Sequence, residues 1–346
     1  MIRLECDYAE GAHPRVLRRL TDTNFDQTVG YGEDTFCDKA RAQVRALCGG
    51  GEDLSVHFLV GGTQVNTTVI AAALRPHQGV IAAHTGHINV HETGAIESTG
   101  HKVLPIPSED GKLTAAAILA LWRAHWTDAT HEHMVQPAMV YLSQPTENGT
   151  LYSLEELDAI WQVCQSKGLI LYIDGARLGY GLMSKACDMT LPDLAIRCDA
   201  FTIGGTKQGL LFGEALVIRN RALNRDFRYL IKQHGGLLAK GRLLGVQFSA
   251  ILEEELYFTL SRQADEFAMK IRRAFEAKGC PMLYDSYTNQ QYPILPDKLL
   301  HELEREFAFA FWCKTDETHT AVRICTSWAT TQRAVDTLLR RLKQFA

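Results

Sequence analysis

Two short apolar runs in the middle of the chain each lead to a residue that can do chemistry. Leu169–Ile173 directly precedes Asp174, and Ala200–Ile203 is followed by Gly-Gly-Thr and then Lys207. Runs of this length, rich in aliphatic, aromatic or β-branched residues, are typical of buried β-strands. The acid and the lysine are 33 residues apart, about the length of one strand–helix–strand crossover. Because open α/β sheets bind ligands outside the carboxyl ends of their strands, we expect both residues at one ligand site.

An acid and a lysine in these positions suit pyridoxal phosphate. The cofactor needs a lysine amine for its attachment and an acid opposite its pyridine nitrogen. The acid keeps that nitrogen protonated, so that the ring can accept electrons from a substrate. On these two residues alone, an alternative stays open, in which a surface lysine and an acidic helix cap belong to some other α/β domain.

Length and composition indicate a globular protein. The 346 residues suffice for one large domain with a smaller one appended. Hydrophobic residues make up 46% and charged residues 22% of the chain, which is ordinary for a globular domain. The formal net charge of −4 argues against general nucleic-acid binding, which uses a basic surface.

The cysteines and the lengths of the apolar stretches predict the cellular compartment of the protein. The nine cysteines include no CxxC pair, which argues against a tetrathiolate zinc site, and we expect no metal. Free thiols in a reducing compartment are the simpler interpretation. The opening residues have no long apolar core and do not read as a signal peptide, and no stretch has the apolar length of a membrane span. We therefore expect a cytoplasmic protein that does not enter a membrane.

Seven stretches of the sequence resemble the threonine aldolase family, pyridoxal-phosphate enzymes with the aspartate aminotransferase fold. Together they are far more specific than any one alone, because they run in the order of the family over nearly the whole chain. They are TVGYGEDTF (28–36), GGTQVN (61–66), GHINVHETGA (86–95), LSQPTENGTLYSLEEL (142–157), YIDGAR (172–177), GGTK (204–207) and, more loosely, VRICTSWAT (322–330).

This resemblance implies an α/β fold with three αβα layers, a mostly parallel central sheet (fold type I of the pyridoxal-phosphate enzymes) and a small C-terminal α/β domain. We expect an N-terminal segment over residues 1–30, a large cofactor-binding domain over 31–245 and the small domain over 246–346. The family places its active site at a subunit interface, so a homodimer or homotetramer is expected.

The apolar pattern also predicts individual elements in the second half of the chain. Helical spacing predicts helices over Asn224–Leu230, Arg242–Leu260 and Gln332–Phe345. A strand is expected near Pro281–Tyr284, and another over Leu216–Arg219 that runs antiparallel in the fold of this family.

The resemblance also implies which residues hold the cofactor. Lys207 carries it, Asp174 pairs with the pyridine nitrogen, and the ring of His87 stacks on the pyridine face, with His84 and His91 as rivals for that role. Thr63 has an alternative interpretation as a simple helix cap, and Lys240 as a solvated charge. The expected cofactor-binding residues are Gly62, Thr63, His87, Asp174, Arg177, Thr206, Lys207 and Lys240.

The resemblance also implies which residues contact the substrate. Arg323 matches the arginine that binds the substrate carboxylate, since a guanidinium fork fits a carboxylate bidentately. Arg177 is a second contact, either to this carboxylate or to the ring oxygen of the cofactor. Tyr31 lies in a loop that approaches a neighbouring subunit's active site in the family, or is a packed loop aromatic. The best-known aldolases of the family carry a histidine where this chain has Glu147; a carboxylate there can accept a proton if its surroundings raise its pKa.

The expected reaction is the cleavage of a β-hydroxy-α-amino acid, such as threonine or allo-threonine, to glycine and an aldehyde. Lys207, His87 and Glu147 are the expected catalytic residues. The glutamate in place of the family histidine motivates a second interpretation, β-elimination or racemisation of a small amino acid with the same cofactor. A non-catalytic binding or structural protein of the same fold is a third.

Overall fold

The computed structural model describes residues 1–51 and 53–344, so the predicted helix end at Phe345 lies outside the described residues. The strands are β1 (Ile2–Arg3), β2 (Ser55–Leu59), β3 (Gln78–Ala83), β4 (Lys102–Ile106), β5 (Gln136–Ser143), β6 (Ile170–Asp174), β7 (Ala200–Gly204), β8 (Glu214–Ile218), β9 (Gln290–Gln291), β10 (Ile294–Pro296), β11 (Phe307–Ala308), β12 (Ala310–Lys314) and β13 (His319–Cys325).

The α-helices are α1 (Pro14–Asp22), α2 (Thr35–Leu47), α3 (Gly62–Ala73), α4 (His87–Val90), α5 (Ala115–Thr127), α6 (Leu154–Lys167), α7 (Leu178–Met183), α8 (Leu191–Ala195), α9 (Arg221–Asn224), α10 (Phe227–Gln233), α11 (Arg242–Leu252), α12 (Leu256–Ala277), α13 (Asp297–Leu303) and α14 (Gln332–Gln344). Short 3₁₀ turns lie at Glu97–Thr99, His131–His133, Thr206–Gln208 and Glu253–Glu255.

A seven-stranded sheet forms the centre of the molecule, in the order β2-β8-β7-β6-β5-β3-β4. Its neighbouring strands are parallel except around β8, which is antiparallel to both β2 and β7. The predicted antiparallel strand is thus confirmed, two residues earlier than expected at its start. Because β8 runs the opposite way, its first residue, Glu214, lies at the edge where the other strands end.

The sheet is buried on both faces, which confirms the three-layer αβα architecture. Alternate residues of β6 enter different cores: Leu171 packs on the side of α2, α6 and α11, and Tyr172 on the side of α3 and α10. Nearly continuous apolar runs in these strands follow from this double burial. The predicted strands at Leu169–Ile173 and Ala200–Ile203 therefore occupy the centre of the fold.

A third core joins the two ends of the chain. β10, β13 and β12 form a small antiparallel sheet, with β9 also paired to β13. Its apolar cluster includes Phe267 of α12, Phe307 and Val335 of α14, and it also takes in Leu4 from the N-terminal segment, where β1 pairs with β11. The proposed domain boundaries stay a prediction.

Three predicted elements differ from the structure. The helix expected over Arg242–Leu260 is interrupted, because Glu254 and Glu255 have left-handed backbone with φ of +55°, and α12 begins directly after them. Asp226, also left-handed, divides the helix expected over Asn224–Leu230 into α9 and α10. Near Pro281–Tyr284 there is one isolated bridge between Met282 and Pro293 rather than a strand.

Within the described ranges, every helix is too short or too polar to cross a membrane.

Candidate active site

The carboxyl edge of the large sheet opens into a cavity of about 230 Å³. Side chains from the ends of β2, β3, β5, β6 and β7 meet there, because parallel strands end on one side of a sheet. Eight of the residues predicted for the site line this cavity: Gly62, Thr63, His87, Glu147, Asp174, Arg177, Thr206 and Lys207.

Asp174, the last residue of β6, is held by three hydrogen-bond donors. The Tyr141 hydroxyl donates to its Oδ2 over 2.7 Å and the Asn66 amide over 3.1 Å, and the Ala176 backbone N–H donates to its Oδ1 over 2.9 Å. These contacts fix the carboxylate at the floor of the cavity.

Lys207 follows β7 on a 3₁₀ turn and lies in the same cavity. Burial, together with the charge of Arg177, lowers the pKa of its amine. Burial raises the pKa of the neighbouring Glu214 carboxyl, and the charge of Lys207 opposes that rise. A lysine with a lowered pKa holds an uncharged, nucleophilic amine closer to neutral pH.

The start of α3 presents free backbone N–H groups to the cavity. Its N-cap is Gly61, which has no side chain and makes no capping hydrogen bond, so the N–H groups of Gly62 and Thr63 are available to an anion. The interpretation of Thr63 as the helix cap is therefore wrong. Thr206 stands nearby; its hydroxyl accepts from the Gly213 N–H at 3.1 Å.

His87 and Glu147 are neighbours on one wall. The His87 backbone N–H donates to Glu147 Oε1 over 2.9 Å, and the Ser143 hydroxyl donates to the same oxygen over 2.6 Å. Burial raises the pKa of the Glu147 carboxyl above its ordinary value. A carboxylate with a raised pKa is a stronger proton acceptor than one in water.

Arg177 is fixed by Asp7 of the N-terminal segment. Its Nε donates to Asp7 Oδ2 over 2.6 Å and its Nη2 to Asp7 Oδ1 over 3.1 Å. Asn289 donates to Asp7 Oδ2 over 2.9 Å. Burial raises the pKa of Asp7, but the charges of Arg177 and Lys207 outweigh it and hold that pKa at about 2.

Three predicted residues lie outside the cavity lining. Tyr31 has left-handed backbone, lines a separate small cavity and carries the Lys232 amine 4.9 Å from its ring centroid. Lys240 is exposed. Arg323 donates from Nη2 to the Glu5 carbonyl over 3.2 Å, while its Nε is buried without a hydrogen-bond partner among the described residues.

Arg323 nevertheless lies close to the site. Its charge and that of Arg177 both act on Tyr292 and on His91, and the Tyr292 hydroxyl donates to the Glu147 carbonyl. Of the three rival histidines, His87 lines the cavity and His84 and His91 do not.

Sequence reasoning missed several polar residues at this edge. Glu214 lines the cavity because β8 is antiparallel, and in the sequence it stands within the apolar run of that strand. Asp7 is 170 residues from Arg177, and no local pattern signals the pair. Asn66 and Glu92 contact Asp174 and His87 from the buried side; the GGTQVN and GHINVHETGA stretches contain them and were a usable signal.

Comparison with known proteins decides the family. The sequence model of the beta-eliminating lyase family matches residues 9–297. The chain belongs to the beta-eliminating lyase family. It is 30% identical to the low specificity L-threonine aldolase of Pseudomonas aeruginosa, over 97% of this chain and 96% of that protein. A threonine aldolase structure from Leishmania major superimposes with a TM-score of 0.96 and 41% identity, over 99% of both chains.

The fold is shared more widely. A Thermus thermophilus aspartate aminotransferase superimposes with a TM-score of 0.69 at 14% identity, over 99% of this chain and 90% of that one. Family membership makes this chain a lyase that depends on pyridoxal phosphate. The cavity fits that cofactor: Lys207 offers an amine, Asp174 an anionic partner for the pyridine nitrogen, and the start of α3 free N–H groups for the phosphate.

Proposed function

We propose that this lyase cleaves threonine and allo-threonine to glycine and acetaldehyde. One observation carries the proposal: Lys207, Asp174, His87 and Glu147 line a single cavity in a chain that superimposes on a threonine aldolase with a TM-score of 0.96. When bound, pyridoxal phosphate accepts the electrons of the substrate Cα–Cβ bond.

The two arginines bind the substrate carboxylate in this proposal. The buried, unpartnered Nε of Arg323 needs an acceptor, because an unsatisfied buried donor is costly. Asp7 occupies Nε and Nη2 of Arg177, which leaves Nη1 as the group for a second contact. Holding the carboxylate at a fixed point orients the bond to be broken, which lowers the entropy cost of reaction.

Glu147 takes the proton of the substrate hydroxyl. Its Oε1 is occupied by the donors from His87 and Ser143, so Oε2 is the oxygen available to a substrate. Burial raises the pKa of this carboxyl, which brings its basicity nearer to that needed at neutral pH. In this proposal His87 covers the cofactor ring. Tyr31 and Lys240 lie on loops that approach an active site, either that of their own subunit or that of the neighbouring one.

β-Elimination or racemisation of a small amino acid is the second candidate. It is favoured by Glu147, which stands where the best-known aldolases carry a histidine, and by the β-eliminating chemistry that gives the family its name.

Product analysis separates the candidates. Purified protein with added pyridoxal phosphate is incubated with threonine, allo-threonine, serine and cysteine. Glycine and acetaldehyde from the first two support the proposal, pyruvate from the last two supports β-elimination, and D-isomers support racemisation.

Borohydride reduction followed by peptide mapping is expected to place the cofactor on Lys207. Lys207→Ala should lose this borohydride-fixed link, whereas the control Lys185→Ala, which changes an exposed lysine, should keep it. A cofactor fixed to any other lysine contradicts the assignment.

The same proposal includes a homo-oligomer in the cytoplasm. The oligomer is supported by the exposed aromatic residues Phe25, Tyr31 and Tyr229. The compartment is supported by nine cysteines that are all free thiols, as expected where the surroundings are reducing.

A further inference from the structure

A buried carboxylate stands behind the histidine of the cavity. The side chain of Glu92 is fully buried, whereas that of His87 is 36% exposed. Glu92 Oε1 lies 2.7 Å from His87 Nδ1. A carboxylate can only accept a hydrogen bond, so the proton of this contact belongs to Nδ1. His87 Nε2 makes no hydrogen bond within the part of the chain that the structure describes, and the residue lines the cavity.

The carboxylate is itself held in place by Asn66. The Asn66 amide nitrogen donates to Glu92 Oε1 over 2.7 Å and to Asp174 Oδ2 over 3.1 Å, and its carbonyl accepts from the Tyr172 hydroxyl over 2.8 Å. Because both carboxylates can only accept hydrogen bonds, the NH₂ group of Asn66 must face them, and this fixes the orientation of the amide. A single buried side chain thus connects the partner of His87 to the partner expected for the pyridine nitrogen.

We infer that Glu92 is a positioning residue, which acts through His87 and is anchored to Asp174 by Asn66. It holds the imidazole at one angle with the proton on Nδ1, so that Nε2 presents a lone pair to the cavity beside Glu147. The inference rests on the proposed function for its effect on turnover and on geometry alone for its effect on the ring. In other proteins too, a hydrogen-bond partner at one imidazole nitrogen fixes the tautomer and the ring orientation of a functional histidine. It thereby determines whether the other nitrogen donates or accepts.

Two substitutions separate orientation from charge. Glu92→Gln keeps an oxygen that can accept from both Nδ1 and Asn66, and Glu92→Leu removes the acceptor while preserving apolar volume. Glu97→Leu is the matched control, because this glutamate lies five residues away and is exposed. Melting temperatures of all variants identify any that fail to fold, and Glu92→Gln carries the comparison if Glu92→Leu is unstable.

The first readout is the tautomer of His87 in the cofactor-free protein, from long-range ¹H–¹⁵N spectra recorded above pH 8. The signal is assigned by its loss in His87→Asn. We expect Nδ1 protonated and Nε2 unprotonated in the wild type, in Glu97→Leu and in Glu92→Gln, and a mixture of tautomers in Glu92→Leu. A wild-type ring protonated at Nε2, or at both nitrogens, overturns the inference.

The second readout is threonine cleavage by the enzyme with its cofactor. Glu92→Leu is expected to lower kcat by about 10- to 100-fold, the range for loss of such a supporting carboxylate, with KM changed less than threefold. Glu92→Gln restores most of kcat. Unchanged kcat in Glu92→Leu overturns the inference. A wild type that cleaves no threonine refutes the proposed function instead, and the tautomer measurement still decides the role of Glu92.

Discussion

At the scale of single residues, Glu147 is the group on which the proposed reaction depends most. Glu147→Gln keeps the shape of the side chain and the acceptor for His87 and Ser143, but it removes the basicity. We expect kcat for threonine cleavage to fall by about 10²–10⁴-fold, the usual range for losing a general base. Steady-state kinetics measure the change, and Glu155→Gln, at an exposed position, is the control.

Cofactor binding should survive in Glu147→Gln, because Asp174, Lys207 and the start of α3 are untouched. Unchanged turnover would remove Glu147 from the mechanism and leave His87 or a bound water as the base. Glu147→His supplies the converse test, since a gain of aldolase activity would mean that the natural glutamate serves another reaction.

Glu214 gives the apoprotein a pH-dependent stability. Burial raises its pKa above the value of 4.5 that it has when exposed, so the folded state binds this proton more tightly than the unfolded state. Its contribution to stability is therefore complete below pH 4.5 and declines as the pH rises toward the raised pKa. In Glu214→Gln this decline is absent. We expect the melting temperature of the variant, relative to wild type, to increase steadily from pH 4.5 toward 8.

Circular dichroism melts at intervals of half a pH unit measure this difference. Glu155→Gln provides the baseline for an exposed glutamate. A difference between Glu214→Gln and wild type that does not change over this pH range would show that Glu214 keeps its ordinary pKa.

At the scale of elements, a pair of charges attaches the N-terminal segment to the start of α7. Asp7 is fully buried, and the side chain of Arg177 is 12% exposed. Asp7→Asn leaves the buried guanidinium without a counter-charge, which costs about 3–5 kcal/mol in comparable pairs. We expect the free energy of unfolding to fall by about that amount at pH 7, as measured by urea denaturation.

Asp22→Asn is the matched control for this substitution, because Asp22 is exposed at the end of α1. A loss below about 1 kcal/mol in Asp7→Asn would mean that Asn289 or solvent compensates the guanidinium.

Local sequence predicted the parts of the site that follow directly from a strand or begin a helix. Asp174 and Lys207 were predictable because apolar runs mark β6 and β7, and the start of α3 was predictable from its glycines. Asp7 and Glu214 were not, since their places depend on a contact over 170 residues and on the antiparallel direction of β8.

The interrupted helix shows the same limit. Apolar residues at helical spacing lie on both sides of Glu253–Glu255, so the pattern predicted one helix. In the structure the Glu253 carboxylate pairs with Arg19 of α1 and Lys39 of α2, and Glu254 pairs with Arg15. These partners lie more than 200 residues away in sequence, beyond any local signal. α12 begins after this turn and contributes Phe267, Ile271 and Phe275 to the third core.

At the scale of the whole molecule, one surface carries apolar side chains that a monomer would leave in water. Phe25 is 93% exposed, Val29 68% and Tyr229 77%. Tyr31, 46% exposed, is connected to Tyr229 through Arg228, the preceding residue, which donates to the Tyr31 carbonyl. The turn that bears Phe25 is held by Arg242, which donates to the carbonyls of residues 23 and 26. Because Arg228 and Arg242 hold these segments to the same part of the fold, we expect the exposed side chains to form one apolar patch, and such patches mark protein–protein contacts.

We predict that this surface, defined by Phe25, Val29, Tyr31 and Tyr229, forms a two-fold contact between identical chains, since most soluble oligomers are built on such dimers. The double variant Phe25→Glu, Tyr229→Glu places charge where apolar area should be buried, so it should sediment as a monomer at concentrations where wild type is dimeric or larger. Phe311→Glu, at another exposed aromatic, should leave the assembly intact. Because Tyr31 belongs to the same surface, the monomeric variant should also lose most threonine cleavage. A wild-type monomer with full activity in sedimentation and parallel assays would refute the predicted interface.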